Sequence, residues 1–537
     1  MAAQNQKIKI AVVLIAILAA LILNIPVLAG YAQSNPQHVF LGFDFFDDFH
    51  NYSMYIYEAA HSNHLFLENR NNTQFDEPGR YFWPYFLLLG KIVQLTGLSI
   101  PVVFMASRAI VLLLLLGVAW KLVQELFENK EQQVLAYALI AFGTGFGWLS
   151  RLLEPVIPIL QRIKGADMDY TLGYSTFSGA MYPLSTLAFA LFLALFYFIL
   201  RYHATRKNKN LAYALVVSVP IPFIHPPTIP LVWGILATTT VIFLVFSKNK
   251  FRENMSHSVK IWGVLIVAPI LFGLYLLWAL GDPSYAGSVA TYAAWGRWFK
   301  PIVWPIGFGL LGLFALIGLA KEKFKNNFTR ILVICWLVVS LLLALTPTGR
   351  KFLIGAHIPM ALLASAGILW AFGKFLGWKR RTTRQKIIIA GILVVLMSLT
   401  YVINTQDKIK SIQENPYASL TQSEIDAMTF LEQQPKANVL SSYRIGSDVT
   451  WMTPHRAFLG HWGETLGIKE KTLETKQFFS TGLTAQEKIG FLQKEKITYI
   501  FYGQDEKQYG NIDPAVGLET IYQNAEVTIY KFNPQPA

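Results

Sequence analysis

Residues 82–97, FWPYFLLLGKIVQLTG, decide how this chain is threaded through a membrane. The stretch is apolar enough to enter lipid, but it is short, and Gly90 and Lys91 interrupt it. Because a helix needs about 20 apolar residues to cross a bilayer, the stretch is either a span or a helix lying in the interface. The two readings predict opposite orientations for everything that follows, so the rest of the sequence can decide between them.

The composition identifies a polytopic membrane protein. Of the 537 residues, 53% are hydrophobic and only 15% are charged, against about a quarter charged in soluble domains. The first apolar run is longer than the roughly 7–15 residues of a secretory signal core, so we expect an uncleaved anchor. About eleven spans are predicted, near residues 9–29, 100–120, 134–150, 183–201, 210–224, 227–246, 260–280, 302–320, 330–346, 354–376 and 386–404.

The distribution of basic residues fixes the orientation. If residues 82–97 do not cross, every strongly basic loop falls on one side, as the positive-inside rule requires. These loops are the N-terminus and residues 121–133, 201–209, 248–260, 321–330 and 374–386. If residues 82–97 cross, the basic loops after residue 200 fall opposite the N-terminus. We therefore predict an interfacial helix. The net charge of +14 then reflects membrane insertion, and it does not indicate a nucleic-acid partner.

This orientation predicts the domain organisation. Residues 1–404 form a transmembrane module whose loops 30–99 and 151–182 lie outside the cytoplasm. An odd number of spans places residues 405–537 outside as well. That tail carries capping boxes at TQSE, beginning at Thr421, and at TAQE, beginning at Thr484. Its β-branched stretches ITYIFYG and EVTIYKF indicate strands. The predicted fold is mainly α and polytopic, in the plasma (inner) membrane, with a C-terminal extracytoplasmic α/β domain.

An acidic motif stands in the first of these loops. FLGFDFFDDFHNYSMY, residues 40–55, places Asp44, Asp47 and Asp48 among aromatic residues. The residues that follow are amphipathic, which predicts a surface helix with its aromatic face toward lipid. Carboxylates at a helix N-terminus are favoured by the helix dipole, so capping is one interpretation. Two adjacent acids exceed what capping needs, and we favour catalysis by Asp47 or Asp48.

A second acidic motif lies in the loop 151–182. Asp167 and Asp169 alternate in GADMDY, so an extended backbone would point both carboxylates the same way. Such a pair suits a sugar diol or a divalent cation. A cation could also involve Asp47 together with Asp169. A solvated loop is the alternative interpretation.

Basic side chains on the same side are few and unexpected under the insertion rule. Guanidinium and ammonium groups bind phosphate, and their alternative role is anchoring to lipid headgroups. A buried arginine within a span indicates a functional or structural pairing. The candidate substrate-binding residues of this kind are Arg297, Arg350, Lys351 and the intramembrane Arg108. His225, at a proline-rich turn, is a candidate for polar contact with a substrate, and a structural role in the turn is the alternative.

Acids and bases at one membrane surface suit the transfer of a sugar from a lipid phosphate. A carboxylate would act as general base on an acceptor hydroxyl, and cations would stabilise the departing phosphate. No glycine-rich nucleotide loop is evident, and none is needed when the leaving group is a lipid phosphate.

The layout resembles that of the C-type membrane glycosyltransferases, which include protein O-mannosyltransferases, oligosaccharyltransferase catalytic subunits and bacterial lipid-linked sugar transferases. The resemblance rests on an anchor, an acidic first loop with an interfacial helix, and the segment PGRYFWPYFLLLGKIVQLTGLSIPVVFMASRAIVLLL. It implies that Asp47 or Asp48 is the catalytic base, that Asp167 and Asp169 form a second acidic site, and that Arg350 binds phosphate. It covers roughly the first 200 residues as motif and the remainder as architecture.

The sequence also departs from that family. Its first motif is Asp-Asp where Asp-Glu is commoner, and the tail lacks a Trp-Trp-Asp signature. The stretch LGHWGETLGIKEK instead offers His461 and Glu464 as acceptor-binding candidates, or as parts of a packed turn. Expected partners are a polyprenyl-phosphate sugar, a glycan, lipid or protein acceptor, and membrane lipid. A secondary transporter, a lipid-linked glycan ligase and an assembly scaffold are the rival functions.

Overall fold

The computed structural model describes residues 2–44, 46–74, 79–162, 167–168, 175–247, 250–294, 303–322, 324–347, 349–512 and 514–533. Asp169 and Arg297 lie outside these ranges, and the side chains of Asp47 and Arg350 are also not described.

Twenty-four α-helices are present in the described residues. They are α1 (Ala2–Gln33), α2 (Asp47–His61), α3 (Pro84–Thr96), α4 (Ile100–Leu126), α5 (Lys130–Phe142), α6 (Gly147–Leu153), α7 (Thr176–Ala180), α8 (Pro183–Thr205), α9 (Asn208–Ser218), α10 (Pro220–Ile224), α11 (Thr228–Phe246), α12 (Phe251–Leu265), α13 (Val267–Ala279), α14 (Pro283–Ala294), α15 (Val303–Lys321), α16 (Asn327–Ala344), α17 (His357–Phe375), α18 (Thr383–Leu396), α19 (Leu399–Glu414), α20 (Gln422–Glu432), α21 (Tyr443–Met452), α22 (Ile468–Phe479), α23 (Ala485–Lys494) and α24 (Gln504–Lys507).

The protein is a multi-pass membrane protein. Within the described residues, eight helical segments are long and apolar enough to cross a bilayer, and two bent helix pairs raise the number to ten if each pair is one span. The bent pairs are α5 with α6 and α18 with α19. The predicted span at 210–224 is made of two short helices, α9 and α10, and neither is 18 residues long.

The chain divides into two compact units. Unit 1 comprises Met1–Ile25, Ala106–Leu274 and Gly296–Asp407, and unit 2 comprises Pro26–Met105, Tyr275–Trp295 and Lys408–Ala537. The sequence-based division at residue 404 follows membrane insertion, whereas these units follow packing. The first long loop therefore belongs to the same compact unit as the C-terminal region.

Unit 1 is a bundle with one continuous apolar core. Large side chains such as Phe192, Phe196 and Trp336 meet edge to face at its centre, with ring centroids 4.3–5.4 Å apart. Glycines allow its helices to approach closely. A Cβ on Gly318 of α15 would lie 1.9 Å from the backbone oxygen of Leu363 in α17, so these two helices pack backbone to backbone.

Unit 2 contains the two β-sheets that the described residues form. The strands are β1 (Val39–Phe40), β2 (Ser419–Leu420), β3 (Asn438–Leu440), β4 (Arg456–Ala457), β5 (Ile497–Tyr502), β6 (Glu519–Gln523) and β7 (Thr528–Lys531). The larger sheet has the order β4-β3-β5-β7-β6, with β3 parallel to β4 and β5 and the remaining pairs antiparallel. The predicted strands ITYIFYG and EVTIYKF are confirmed as β5 and β7. Both predicted capping boxes are present, at Thr421 and at Thr484.

A small sheet joins the first loop to the C-terminal region. Strand β1 pairs with β2 in antiparallel register, with Val39 opposite Leu420 and Phe40 opposite Ser419. Phe40 also packs with Val27, Ile412 and Ala418 in a separate apolar cluster. The beginning of the first loop is thereby attached to the C-terminal region by backbone hydrogen bonds and by apolar contact.

Helix α3 covers the segment 82–97. Its 13 residues span about 20 Å, which is shorter than a bilayer core and agrees with the non-crossing prediction. Pro84 begins the helix, and Gly97 ends it in the left-handed conformation with φ of 68°, where glycine avoids the steric penalty of a Cβ. Gly90 allows close packing on α2, since a Cβ there would lie 2.4 Å from the Cβ of Ala59.

The predicted orientation of α2 is wrong. Its aromatic face was expected to meet lipid, yet Tyr55 is 1% exposed and Ala59 is 0% exposed within the protein. Tyr52 packs on Phe86 of α3, with ring centroids 5.0 Å apart. Amphipathic spacing shows that one face of a helix is buried, but it does not reveal what covers that face.

Candidate functional site

The acidic pair stands at the start of α2, as the sequence predicted. The helix begins at Asp47, so both residues belong to its first turn, where the helix dipole favours negative charge. Asp48 keeps 26% of its side chain exposed, and its Oδ1 lies 3.6 Å from Nε2 of His461. The geometry therefore brings a predicted catalytic acid and a predicted binding residue from opposite ends of the sequence into contact.

The tautomer of His461 follows from its second ring nitrogen. Nδ1 lies 3.2 Å from the backbone nitrogen of Gly463, whose N–H donates to it. An acceptor at Nδ1 leaves the proton of a neutral imidazole on Nε2. The Nε2–H therefore faces Asp48. The ring is 1% exposed, and the backbone N–H of His461 donates to Oδ1 of Asn71 at 2.9 Å, so the ring and the backbone are each fixed by a hydrogen bond.

Glu464 is the centre of a buried hydrogen-bond cluster. Its Oε1 accepts from the amide of Asn51 at 3.3 Å, and its Oε2 accepts from Asn69 at 3.1 Å and from the hydroxyl of Ser288 at 2.7 Å. The hydroxyl of Tyr81 lies 3.4 Å from the same oxygen. Burial raises the pKa of Glu464, while the hydrogen bond from Ser288 opposes this rise. The carboxylate is thus enclosed by donors, which suits a structural clasp better than contact with a substrate.

An asparagine-rich loop connects these groups. Asn69 also donates to the backbone oxygen of Glu464 at 3.1 Å, and Asn72 donates to the same oxygen at 2.8 Å. Asn72 in turn accepts from the backbone N–H of Leu466 at 2.9 Å. Sequence reasoning missed this loop. The available signal was the polar run ENRNNT directly after an apolar stretch, since such a run is buried only where its amides have partners.

Aromatic side chains surround the two carboxylates. Tyr52 of α2 and Tyr292 of α14 are both partly buried, and this burial raises the pKa of each phenol, with the charges of Asp48 and Glu464 adding to the effect. Trp462 meets Tyr292 edge to face, with centroids 5.4 Å apart. These neutral hydroxyls and ring faces are the kind of surface that binds a polyol with an apolar side.

Asp44, the third acid of the motif, is fully buried. The ammonium of Lys408 donates to its backbone oxygen at 2.9 Å. This contact fixes the chain three residues before α2 begins.

Asp167 is fixed within unit 1. Its Oδ2 accepts from the backbone N–H groups of Gly145 and Gly147 at 2.9 and 3.1 Å and from the hydroxyl of Thr400 at 2.8 Å. Burial raises its pKa to about 6, and these hydrogen bonds oppose the rise. Its Oδ1 is buried and has no hydrogen-bond partner among the described residues. The carboxylate therefore stabilises the break between α5 and α6 through one oxygen, while its other oxygen has no hydrogen-bond partner among the described residues.

The basic candidates of unit 1 have different surroundings. Arg108 is fully buried in α4 and donates through Nη2 to the backbone oxygen of Leu23 at 2.8 Å, which is a structural pairing. His225 pairs with the hydroxyl of Thr228 at 2.8 Å. Burial lowers the pKa of His225 to about 3, and the charge of Lys351 lowers it further.

The described residues offer no complete site for the divalent cation that the sequence suggested. No group of three or more His, Cys, Asp or Glu side chains within the described ranges could hold a metal ion. Asp167 offers one orphaned carboxylate oxygen, while Asp169 and the side chain of Asp47 lie outside the described residues. The cation remains a prediction.

Comparison with known proteins places the fold. No protein-family model matches the sequence, and no curated protein matches it. Among solved structures, ArnT from Cupriavidus metallidurans matches with a TM-score of 0.54 at 10% identity, covering 100% of both chains. The Archaeoglobus fulgidus oligosaccharyltransferase matches at 0.53 and 14% identity, over 94% of this chain and 72% of the other. A variant of the mycobacterial arabinofuranosyltransferase AftD matches at 0.54 and 12% identity, over 96% of this chain and 41% of the other. The chain therefore has the fold of the C-type membrane glycosyltransferases, as its sequence resemblance implied.

Proposed function

We propose that this protein is a membrane glycosyltransferase that moves a sugar from a polyprenyl-phosphate donor to an acceptor hydroxyl. The observation that carries the proposal is the half-buried Asp48 carboxylate at the start of α2, faced by the Nε2–H of His461. A carboxylate that is partly accessible and lies beside a fixed donor is suited to general-base catalysis. The fold supports the proposal because its neighbours include an oligosaccharyltransferase and an arabinofuranosyltransferase.

The reaction needs one proton transfer and one displacement. Asp48, or its neighbour Asp47, accepts the proton of the acceptor hydroxyl as the oxygen attacks the anomeric carbon. The bond between that carbon and the phosphate oxygen breaks, and the phosphate departs with the electron pair. No protonated leaving group is required, because a phosphate is a stable anion.

A lipid phosphate is the proposed leaving group. The ArnT structure that resembles this chain with a TM-score of 0.52 was solved with undecaprenyl phosphate. We assign phosphate binding to Arg350, Lys351 and Arg297, and sugar or acceptor contacts to Asp44, Asp169 and His225. A divalent cation at Asp167 would supply further positive charge near the phosphate.

The proposed location is the extracytoplasmic face of the plasma membrane. Cysteines introduced at Gln74, Val156 and Lys469 in a Cys335→Ala background should all react with a membrane-impermeant maleimide in intact cells. Shielding of any one of them would refute the proposed orientation.

The activity is tested with purified protein in liposomes, a panel of polyprenyl-phosphate sugars, and glycan, lipid and peptide acceptors that carry hydroxyl groups. Mass spectrometry would measure the polyprenyl phosphate released. Wild-type protein should release it, and Asp48→Asn combined with Asp47→Asn should lower the rate about 10²–10⁴-fold. Asp426→Asn is the matched control, because Asp426 is an exposed carboxylate in α20 whose loss should not change the rate. Full turnover in the double variant, or no release across the panel, would overturn the proposal.

A further inference from the structure

His461 and Glu464 contact α2 with matched spacing. Asp48 and Asn51 are three residues apart and lie on one face of the helix. His461 and Glu464 are also three residues apart. His461 Nε2 faces Asp48 at 3.6 Å, and Glu464 Oε1 accepts from Asn51 at 3.3 Å. The C-terminal region therefore meets one face of the helix at two points, Asp48 and Asn51.

Local hydrogen bonds close the loop that carries His461. Its turn is closed by the backbone N–H of Thr465, which donates to the oxygen of His461 at 2.8 Å, and by the hydroxyl of Thr465, which accepts from the N–H of Gly460 at 3.1 Å. A Cβ at position 460 would lie 2.3 Å from Oδ1 of Asn71. Only glycine allows that approach, and Oδ1 of Asn71 is the group that holds the backbone of His461.

The imidazole cannot pass a proton onward in this arrangement. Nε2 already carries its proton, and Nδ1 accepts from the backbone N–H of Gly463. A relay would need a free lone pair facing Asp48. The ring is therefore a fixed donor, which can orient a carboxylate but does not take the proton of the acceptor hydroxyl.

We infer that His461 is a positioning residue for the transfer reaction. Its buried Nε2–H, which has no hydrogen-bond partner among the described residues, lies 3.6 Å from Oδ1 of Asp48 and donates to that carboxylate when the acceptor is bound. The inference rests on the proposed function. It assigns the C-terminal region a part in the chemical step, in addition to any role in binding an acceptor.

Two conservative variants separate positioning from packing. The amide nitrogen of glutamine reaches the place of Nε2, whereas that of asparagine reaches only the place of Nδ1. His461→Gln should keep most of the wild-type kcat. His461→Asn should lower kcat about 10- to 100-fold, the equivalent of one hydrogen bond to a charged group, while the KM for the lipid donor stays unchanged.

The second measurement tests whether His461 acts on kcat through Asp48. In an Asp48→Asn background, His461→Asn should have no further effect on kcat, because the two residues act as one unit. Additive losses in the two backgrounds would overturn the inference. So would equal kcat values for the glutamine and asparagine variants, or a loss of activity that matches the loss of folded protein.

His455 provides a matched control. It is also buried, and its Nδ1 also accepts a backbone N–H, that of Ala437 at 3.0 Å, but its Nε2 contacts the backbone oxygen of Leu431 at 2.7 Å. His455→Asn should lower the thermal midpoint without changing the kcat of the folded fraction. If wild-type protein consumes no donor, the proposed function fails. If wild-type protein turns over and His461→Asn does so at the same rate, only the present inference fails.

Discussion

Glu464 offers a direct test of the contact between the C-terminal region and α2. Glu464→Ala removes the acceptor for the amide of Asn51, which has no other acceptor among the described contacts. It also removes the acceptor for the hydroxyl of Ser288, whose hydrogen bond of 2.7 Å is the shortest that Glu464 makes. The hydroxyls of Tyr81 and Ser288 lie 3.0 Å apart and can turn toward each other. Asn69 retains the backbone oxygen of Glu464 and the hydroxyl of Ser284.

The cost can be worked from these contacts. A buried amide left unpaired costs about 1–3 kcal/mol, and a lost hydrogen bond to a charged group costs about 1.5–3 kcal/mol. Glutamine keeps an oxygen for Ser288 and turns its amide toward Asn51, so Glu464→Gln should cost about 1–3 kcal/mol. Glu464→Ala loses both contacts and should cost about 1.5–3 kcal/mol more. Both variants avoid the cost of burying a carboxylate to the same extent. The difference between their free energies of unfolding therefore reports the lost hydrogen bonds more directly than either value alone.

Thermal unfolding in detergent, followed by tryptophan fluorescence, would give the order of stability. We expect wild type above Glu464→Gln and Glu464→Gln above Glu464→Ala, with the exposed control Glu470→Gln indistinguishable from wild type. An alanine variant as stable as that control would show that the hydrogen bonds of Glu464 do not stabilise the fold. A glutamine variant less stable than the alanine variant would refute the assignment of donors and acceptors.

Three further predictions concern other parts of the chain. Asp167→Asn should preserve the thermal midpoint, because an amide oxygen can accept the three hydrogen bonds of Oδ2, whereas Asp167→Ala should lower it markedly. Gly90→Ala should destabilise the α2–α3 contact by about 1–3 kcal/mol, as measured by unfolding, and a neutral effect would contradict the close approach. Burial raises the pKa of Asp448 to about 7, above the value of roughly 3.9 in an unfolded chain. The protonated carboxyl therefore contributes its full stabilisation below about pH 4, and this stabilisation is lost as the pH rises to about 7. Asp448→Asn should remove a slope of up to about 1.4 kcal/mol per pH unit, and a wild-type profile as flat as the variant's would show that His50, 3.5 Å away, keeps the carboxylate ionised.

Local patterns were predictable because they depend on neighbouring residues. The capping boxes at Thr421 and Thr484, the strands β5 and β7 and the start of α2 at Asp47 each rest on propensities within a few residues. The prediction that residues 82–97 do not cross the membrane required a global rule, since only the distribution of basic loops indicated it.

Long-range packing was not predictable from the sequence. The contact between His461 and Asp48 joins residues 413 positions apart, and Asn69, Ser288 and Glu464 come from three separate segments of the chain. No local periodicity in the sequence predicts such long-range contacts. The error over the aromatic face of α2 has the same origin, because lipid and an apolar helix such as α3 require the same spacing of apolar side chains.

The stereochemistry of the product tests the central claim most directly. If a carboxylate of the first loop acts as general base in one displacement, the acceptor oxygen enters opposite the departing phosphate. Nuclear magnetic resonance of the product formed in liposomes should then show an anomeric configuration inverted relative to the donor. A retained configuration, together with a sugar covalently bound to Asp47 or Asp48, would show that the carboxylate is a nucleophile and would contradict the account.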